Sequence, residues 1–231
     1  MKHADTRGDR LNPNKSSRLY WHLSELRRAY EEIASNFESA LRGAELVDYG
    51  CGNMPYRPLF EPNVKSYVGC DLPGNEMASR HLDEDGRLPF DDGTVDVVLS
   101  SQVLEHVPDP VLYVGEAFRV IRHNGLLILS THGVWRYHPD PTDYWRWTCD
   151  GLRRQIEQSG FRVEHFVGLM GPEATALQIL QDAVSARIHW RLEALFCRYF
   201  QWRIQRADKR CTQESRDRDA CVYVVVARKS S

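Results

Sequence analysis

Between Arg18 and Leu41 the apolar residues Leu19, Leu23, Leu26, Tyr30, Ile33 and Phe37 recur at steps of three and four. That spacing places them on one face of a helix. Ser16 or Ser17 would cap its start, and Gly43 stands just past its end. From Glu45 the pattern changes to short apolar runs. ELVDYG, SYVGCDL (66–72), a weaker segment near 79–83, TVDVVLSS (94–101), GLLILST (125–131), FRVEHFVGL (161–169) and ACVYVVVARK (220–229) read as seven strands. The run at 94–101 is rich in valine, which suits a strand buried on both faces. Helices are expected over 109–121 and 148–159, the second followed by Gly160. A long helical stretch, 172–210, separates the last two strands. Strands alternating with helices predict one open, mostly parallel α/β sheet.

At 231 residues the chain is long enough for one sizeable core, so one domain is expected. Residues 1–15 are polar and read as a loose arm, with the core at 44–170 and 220–229. The formal net charge of −2 gives no general attraction to nucleic acid, so no nucleic-acid partner is expected. The six cysteines, at 51, 70, 149, 197, 211 and 221, contain no C-x-x-C pair. No apolar signal core opens the chain, and no run of about 18 uncharged apolar residues occurs. A reducing, cytoplasmic location with free thiols is the expectation.

The candidate chemistry begins after the first strand. In Asp48-Tyr49-Gly50-Cys51-Gly52, Gly50 permits a tight turn and Gly52 lets a ligand approach the backbone. The third glycine of G-x-G-x-x-G is replaced by Pro55, which argues against a pyrophosphate cradle. Asp71 ends the second strand, 23 positions after Asp48, where an acid can accept hydrogen bonds from ribose hydroxyls. Together these features point to a nucleoside ligand without a phosphate.

VDYGCG, VGCDL and above all RLPFDDGTVDVVLSSQVLEHVPDP (87–110) resemble the class I S-adenosylmethionine-dependent methyltransferases. The resemblance implies a Rossmann-like, doubly wound sheet of seven mostly parallel strands whose last strand is antiparallel. It implies S-adenosylmethionine as the cofactor. Asp48, Gly50 and Gly52 would line its methionine end, and Asp71, with Leu72 beside it, would hold the ribose. Asp83, Glu84 and Asp85 compete for the adenine amino group, with Asp85 preferred. Leu88 would lie near the adenine. Ser101 and Gln102 would face the cofactor, with Glu105 and His106 close by. In the plainer reading His106 only orders its loop. Asp91, Asp92 and Gly93 read as a turn rather than a metal site, and no metal is expected.

The segment THGVWRYHPDPTDYWRWT (131–148) follows the fifth strand, where ligands of open α/β sheets bind. Its prolines stiffen it, and its aromatic side chains suit sugar or ring recognition. A similar H-P-x-P-x-D-Y-W-R-W-T pattern is found in methyltransferases associated with bacterial surface-polysaccharide and glycolipid assembly. That resemblance implies O-methylation of a saccharide, with Tyr137, Tyr144, Trp145 and Arg146 binding the acceptor. A hydroxyl nucleophile needs a base, for which His132, His138 and Asp143 are candidates, His138 with Asp143 preferred. In the plainer reading Asp143 caps a turn, Arg146 pairs with an acid and the aromatics pack the core. Trp147 is assigned to that core.

Three uses compete for the arginine-rich segment 177–210: a lid over the acceptor, a homodimer contact, or an interfacial helix on an anionic membrane. Its plainer reading is a helical cap with its arginines in water. For the whole chain, the alternatives to a glycan methyltransferase are one for a small metabolite such as a quinone, or a cofactor-binding scaffold without turnover.

Overall fold

The structure is a computed structural model, and it describes residues 10–230. Seven strands form one sheet in the order β3-β2-β1-β4-β5-β7-β6. They are β1 (Glu45–Tyr49), β2 (Ser66–Asp71), β3 (Arg80–His81), β4 (Val95–Ser101), β5 (Ile121–His132), β6 (Phe161–Leu169) and β7 (Val222–Lys229). β7 pairs antiparallel with both β5 and β6, while the remaining pairs are parallel. The expected fold class is therefore the observed one. β5 starts earlier than the 125–131 expected. The polar residues Arg122, His123 and Asn124 hide its start, yet Ile121 pairs with Val95 beyond a register shift in the ladder.

Strands β1 to β3 run outward to one edge, and β4 then returns to the other side of β1. This reversal opens a crevice at the carboxyl ends of β1 and β4, where ligands of such sheets bind. Side chains alternate across each strand. Leu46, Val97, Leu126, Ile128 and Val224 pack on one face against the helix α1 (Tyr20–Asn36) through Leu26, Tyr30 and Ile33. Val47, Val98, Leu127 and Val225 pack on the other against α2 (Pro110–Val120) and α3 (Cys149–Gln158).

Helix α1 departs from its expected cap. Leu19 occupies the N-cap without a side-chain bond, and Ser17 Oγ instead accepts the Leu19 N–H at 3.2 Å. The expected helix also breaks at Phe37 before a one-turn continuation at Glu38–Leu41. Asp109 and Thr148 do cap α2 and α3. Of the expected loose arm, residues 1–9 lie outside the described residues, and the rest is held. Arg27 donates to Asn12 Oδ1 at 2.7 Å and to the Leu11 carbonyl at 3.3 Å.

The inserted stretch forms α4 (Pro172–Ser185), α5 (Trp190–Asp208) and the short α6 (Gln213–Arg218). It is a cap fastened to the start of α1. Gln178, Gln181 and Gln201 all donate to the Arg18 carbonyl, at 2.7–3.0 Å, and Trp21 Nε1 donates to Asp208 at 2.8 Å. Among the described residues no helix is long and apolar enough to cross a membrane, and all six cysteines are free thiols.

Candidate active site

The loop after β1 is shaped by two glycines with left-handed backbone. Gly50 (φ +76°) donates to the Cys70 carbonyl at 2.8 Å, and a Cβ there would stand 2.7 Å from both Val103 methyls. Gly52 (φ +50°) has open space where a Cβ would point, which leaves a cradle for a ligand. Its N–H donates to Asp71 Oδ2 at 2.8 Å. Asn75 donates to the same oxygen at 2.7 Å, and Leu72 N–H donates to Oδ1 at 2.8 Å. Asp71 is thus fixed in orientation before any ligand arrives.

Asp48 lies behind this loop, 3% exposed, and accepts from Tyr67 Oη at 2.5 Å. Burial pushes its carboxyl up to about pH 7 against that bond, and nearby Asp71 adds to the rise. A buried acid with no cation beside it among the described residues suits a ligand that carries one. The adenosine end follows. Asp85, Gly86 and Leu82 stand on the cavity wall, with Tyr49 donating to the Gly86 carbonyl at 2.6 Å. Asp83 Oδ1 is occupied by the backbone N–H groups of Asp85 and Arg87, at 3.0 and 2.8 Å. An open cradle, a buried acid and an oriented carboxylate fit a phosphate-free nucleoside bearing positive charge.

The same cavity, of about 1190 Å³, continues past Ser101, Gln102 and Val103 to His106, His132, Trp135 and His138. Gln102 has left-handed backbone (φ +57°), held by N–H bonds to the Ser130 carbonyl and Oγ at 3.0 and 3.1 Å. Four histidines meet at this end. His132 stacks on Trp135 (ring centroids 5.0 Å apart), and the His138 ring stands edge-on to both His132 and His106 at 4.9 Å. His22, from α1, lies 5.7 Å from His132.

Burial holds His22 and His132 neutral. It lowers His22 to about 3, with Arg10 and His138 adding to the effect, and it holds His132 well below the usual imidazole range. Beneath His132 is Glu105, fully buried. Thr131 donates to its Oε2 at 2.8 Å, and Oε1 lies 3.5 Å from His132 Nε2. Burial pushes the Glu105 carboxyl up.

His138 is oriented from behind. Asp143 Oδ2 lies 3.2 Å from its Nδ1 and accepts its backbone N–H at 2.8 Å. Burial alone would raise Asp143, but paired bonds from Arg146 and those to His138 outweigh it and hold the carboxyl at about 2. Burial lowers His138 despite that anion, so the ring enters neutral pH uncharged. Its Nδ1 also lies 3.3 Å from the Arg136 carbonyl and from Arg146 Nη2; with the proton on Nδ1, facing that carbonyl and Asp143, Nε2 would be the atom that accepts a proton.

Of the residues expected at the site, Asp48, Gly50, Gly52, Asp71, Leu72, Asp85, Ser101, Gln102, His106, His132 and His138 all line this one cavity. Leu88 does not. It is buried behind the wall, its N–H donating to Glu116 at 2.8 Å, and Leu82 stands on the wall instead. Arg146 is likewise better described as a clamp than as an acceptor ligand. Besides Asp143 it binds the carbonyls of Trp135, Arg136 and Trp145 at 2.6–3.1 Å, which fixes the loop. Tyr137, Tyr144 and Trp145 are exposed and off the wall, and Trp145 Nε1 donates to the Val107 carbonyl at 2.9 Å. His106 Nδ1 contacts the Thr142 carbonyl at 2.5 Å, so this histidine also orders its loop.

Sequence reasoning missed His22 and Tyr67, which reach the site from elsewhere in the chain, and did not single out Trp135 within the 131–148 loop. It also gave the LEHV glutamate no part in the histidine cluster. Glu105, His132 and His138 present ligand atoms within 4.8 Å of one another, the one group among the described residues that could converge on a metal ion. Those atoms would have to close up to bind a small cation at about 2 Å each.

Comparison with known proteins agrees with this geometry. A family model described as a methyltransferase domain matches residues 47–129. A protein assigned as an S-adenosylmethionine-dependent methyltransferase in Mycolicibacterium smegmatis is 27% identical over 177 residues, 70% of this chain and 67% of that protein. The ubiquinone biosynthesis O-methyltransferase of Azorhizobium caulinodans is 36% identical over 105 residues, but these span only 39% of this chain and 41% of that enzyme. Among solved structures, a protein assigned as a sarcosine dimethylglycine methyltransferase from Galdieria sulphuraria superposes with a TM-score of 0.59 at 17% identity, covering 90% of this chain and 88% of that one. At that identity the likeness shows the fold alone. The family match over residues 47–129, with relatives assigned as S-adenosylmethionine-dependent methyltransferases, shows a methyltransferase domain in this part of the chain and S-adenosylmethionine as its cofactor.

Proposed function

We propose that the protein methylates a hydroxyl group of a saccharide or glycolipid-type acceptor. The observation that carries this reading is the single cavity. Asp48, Gly52 and Asp71 stand at one end, and the His138–Asp143 pair and Trp135 at the other. A volume of about 1190 Å³ exceeds what one small ligand fills, so cofactor and acceptor fit together. When bound, S-adenosylmethionine supplies a methyl group already activated by its sulfonium. The chain's own task is then alignment and proton removal. Asp71 orients the ribose, Asp48 faces the cationic end, and His138 Nε2 takes the hydroxyl proton while Asp143 stabilises the imidazolium. Trp135 offers an aromatic face of the kind sugars stack on.

The test measures S-adenosylhomocysteine release with sugar and phenolic acceptors. Asp71→Ala should weaken cofactor binding strongly. His138→Gln should cut turnover by about 10²–10⁴-fold while leaving cofactor affinity unchanged. Full activity of His138→Gln would remove the base assignment. Turnover confined to phenolic rings would favour the second reading, a methyltransferase for a small quinone-type metabolite, which draws on the ubiquinone-pathway relative.

A further inference from the structure

Helix α5 is buried on one face and apolar on the opposite one. Its inner face buries Cys197, Gln201, Ile204, Ala207 and Asp208. On the opposite side, Leu192, Leu195, Tyr199 and Trp202 follow one another at steps of three, four and three. They are 58%, 68%, 51% and 51% exposed. A helix packed on a folded domain ordinarily turns its polar residues to water, but this outer row is left exposed among the described residues.

The row is flanked by cations. Arg191, Arg198, Arg203, Arg206, Lys209 and Arg210 are all exposed, against one exposed acid on the helix, Glu193. The arginines lie over the aromatics: Arg191 on Trp190 at 5.0 Å, Arg206 on Trp202 at 5.7 Å and Arg203 on Tyr199 at 6.0 Å. Between them is a groove of about 350 Å³ walled by Glu173, Tyr199, Trp202, Arg203, Arg206 and Arg210. All this sits on a chain whose net charge is −2, so the cation excess along this helix is a local feature.

We propose that the outer face of α5 docks on the surface of an anionic phospholipid bilayer, with a headgroup phosphate seated in the groove between Trp202 and the arginines. The leucines and aromatics supply the part that enters the headgroup boundary, and the arginines supply the attraction to the leaflet. The helix lies on the surface rather than across it, because it is not apolar enough to span. A second copy of the chain fits this face poorly. Pairing two such rows would bring their arginine flanks together, with only Glu193 from each to offset them. The proposal stands apart from the choice of acceptor.

Flotation of the full chain with lipid vesicles tests it. Vesicles of phosphatidylcholine mixed with phosphatidylglycerol should carry the protein, pure phosphatidylcholine should carry little, and added salt should release it. Leu195→Glu and the pair Arg203→Glu/Arg206→Glu should each reduce the bound fraction about tenfold or more, with thermal unfolding and cofactor affinity unchanged. The proposal fails if anionic vesicles do not bind. It fails equally if neutral vesicles bind as well and charge reversal changes nothing. It also fails if sedimentation shows a dimer that Leu195→Glu dissolves, or if single-stranded nucleic acid binds this face where vesicles do not.

Discussion

Asp48 shows how one buried side chain sets the terms for a ligand. Its carboxyl titrates near pH 7 because burial disfavours the anion. A cation placed beside it would favour the anion, so ligand binding should lower this pKa. Below about pH 7 the proton must leave before the cation can be held, and affinity falls as pH falls, by at most about tenfold per unit. Titration calorimetry between pH 6 and pH 8 in buffers of different ionisation heat should reveal proton release on binding S-adenosylmethionine. Asp48→Asn should bind more weakly and with little pH dependence. A flat profile for the unaltered protein would place the cofactor's charge elsewhere. His138 follows the opposite sign. Its pKa is lowered by burial, so it needs no high pH to act as a base.

Among the elements, the turn after β1 follows its local sequence closely, and so do the capped starts of α2 and α3, whereas the start of α1 does not. Gly50 meets two requirements at once, a left-handed backbone and contact with Val103. Gly50→Ala should therefore lower the unfolding temperature and weaken cofactor binding together, since the strain of about 1–3 kcal/mol falls on the loop that cradles the ligand. Thr148 Oγ1 accepts the Gly151 N–H at 3.1 Å at the start of α3, far from the cradle. Thr148→Ala should cost about 1 kcal/mol in chemical denaturation and leave cofactor affinity unaltered. The contrast separates a functional turn from a structural cap.

Over the whole molecule, the cap formed by α4 and α5 reaches the acceptor loop through one buried acid. Asp182 lies 3.2 Å from Arg136 and 4.0 Å from Arg18, and burial pushes its carboxyl up against those cations. Arg136 is in the loop that Arg146 clamps, two residues before His138. Asp182→Asn should loosen that loop, raising the acceptor KM while the Kd for S-adenosylmethionine stays the same. Steady-state kinetics alongside calorimetry would distinguish this from a general loss of stability.

The chain's own pattern determined the seven strands, the mostly parallel sheet and the glycine turn after β1. The reason is that Asp48, Gly50, Gly52 and Asp71 sit at strand ends and in one backbone turn, which are local features. It also placed His138 with Asp143, five residues apart in a stiff loop. What only tertiary structure decided was which side chains arrive from a distance. His22 stands beside His132 because α1 crosses that end of the sheet, and Tyr67 meets Asp48 because β2 pairs with β1. Leu82 stands on the cavity wall while Leu88 is buried behind it, and Arg146 became a clamp because three carbonyls converge on it. Packing geometry of that kind has no signature in residue spacing, since it depends on where separate elements settle against one sheet.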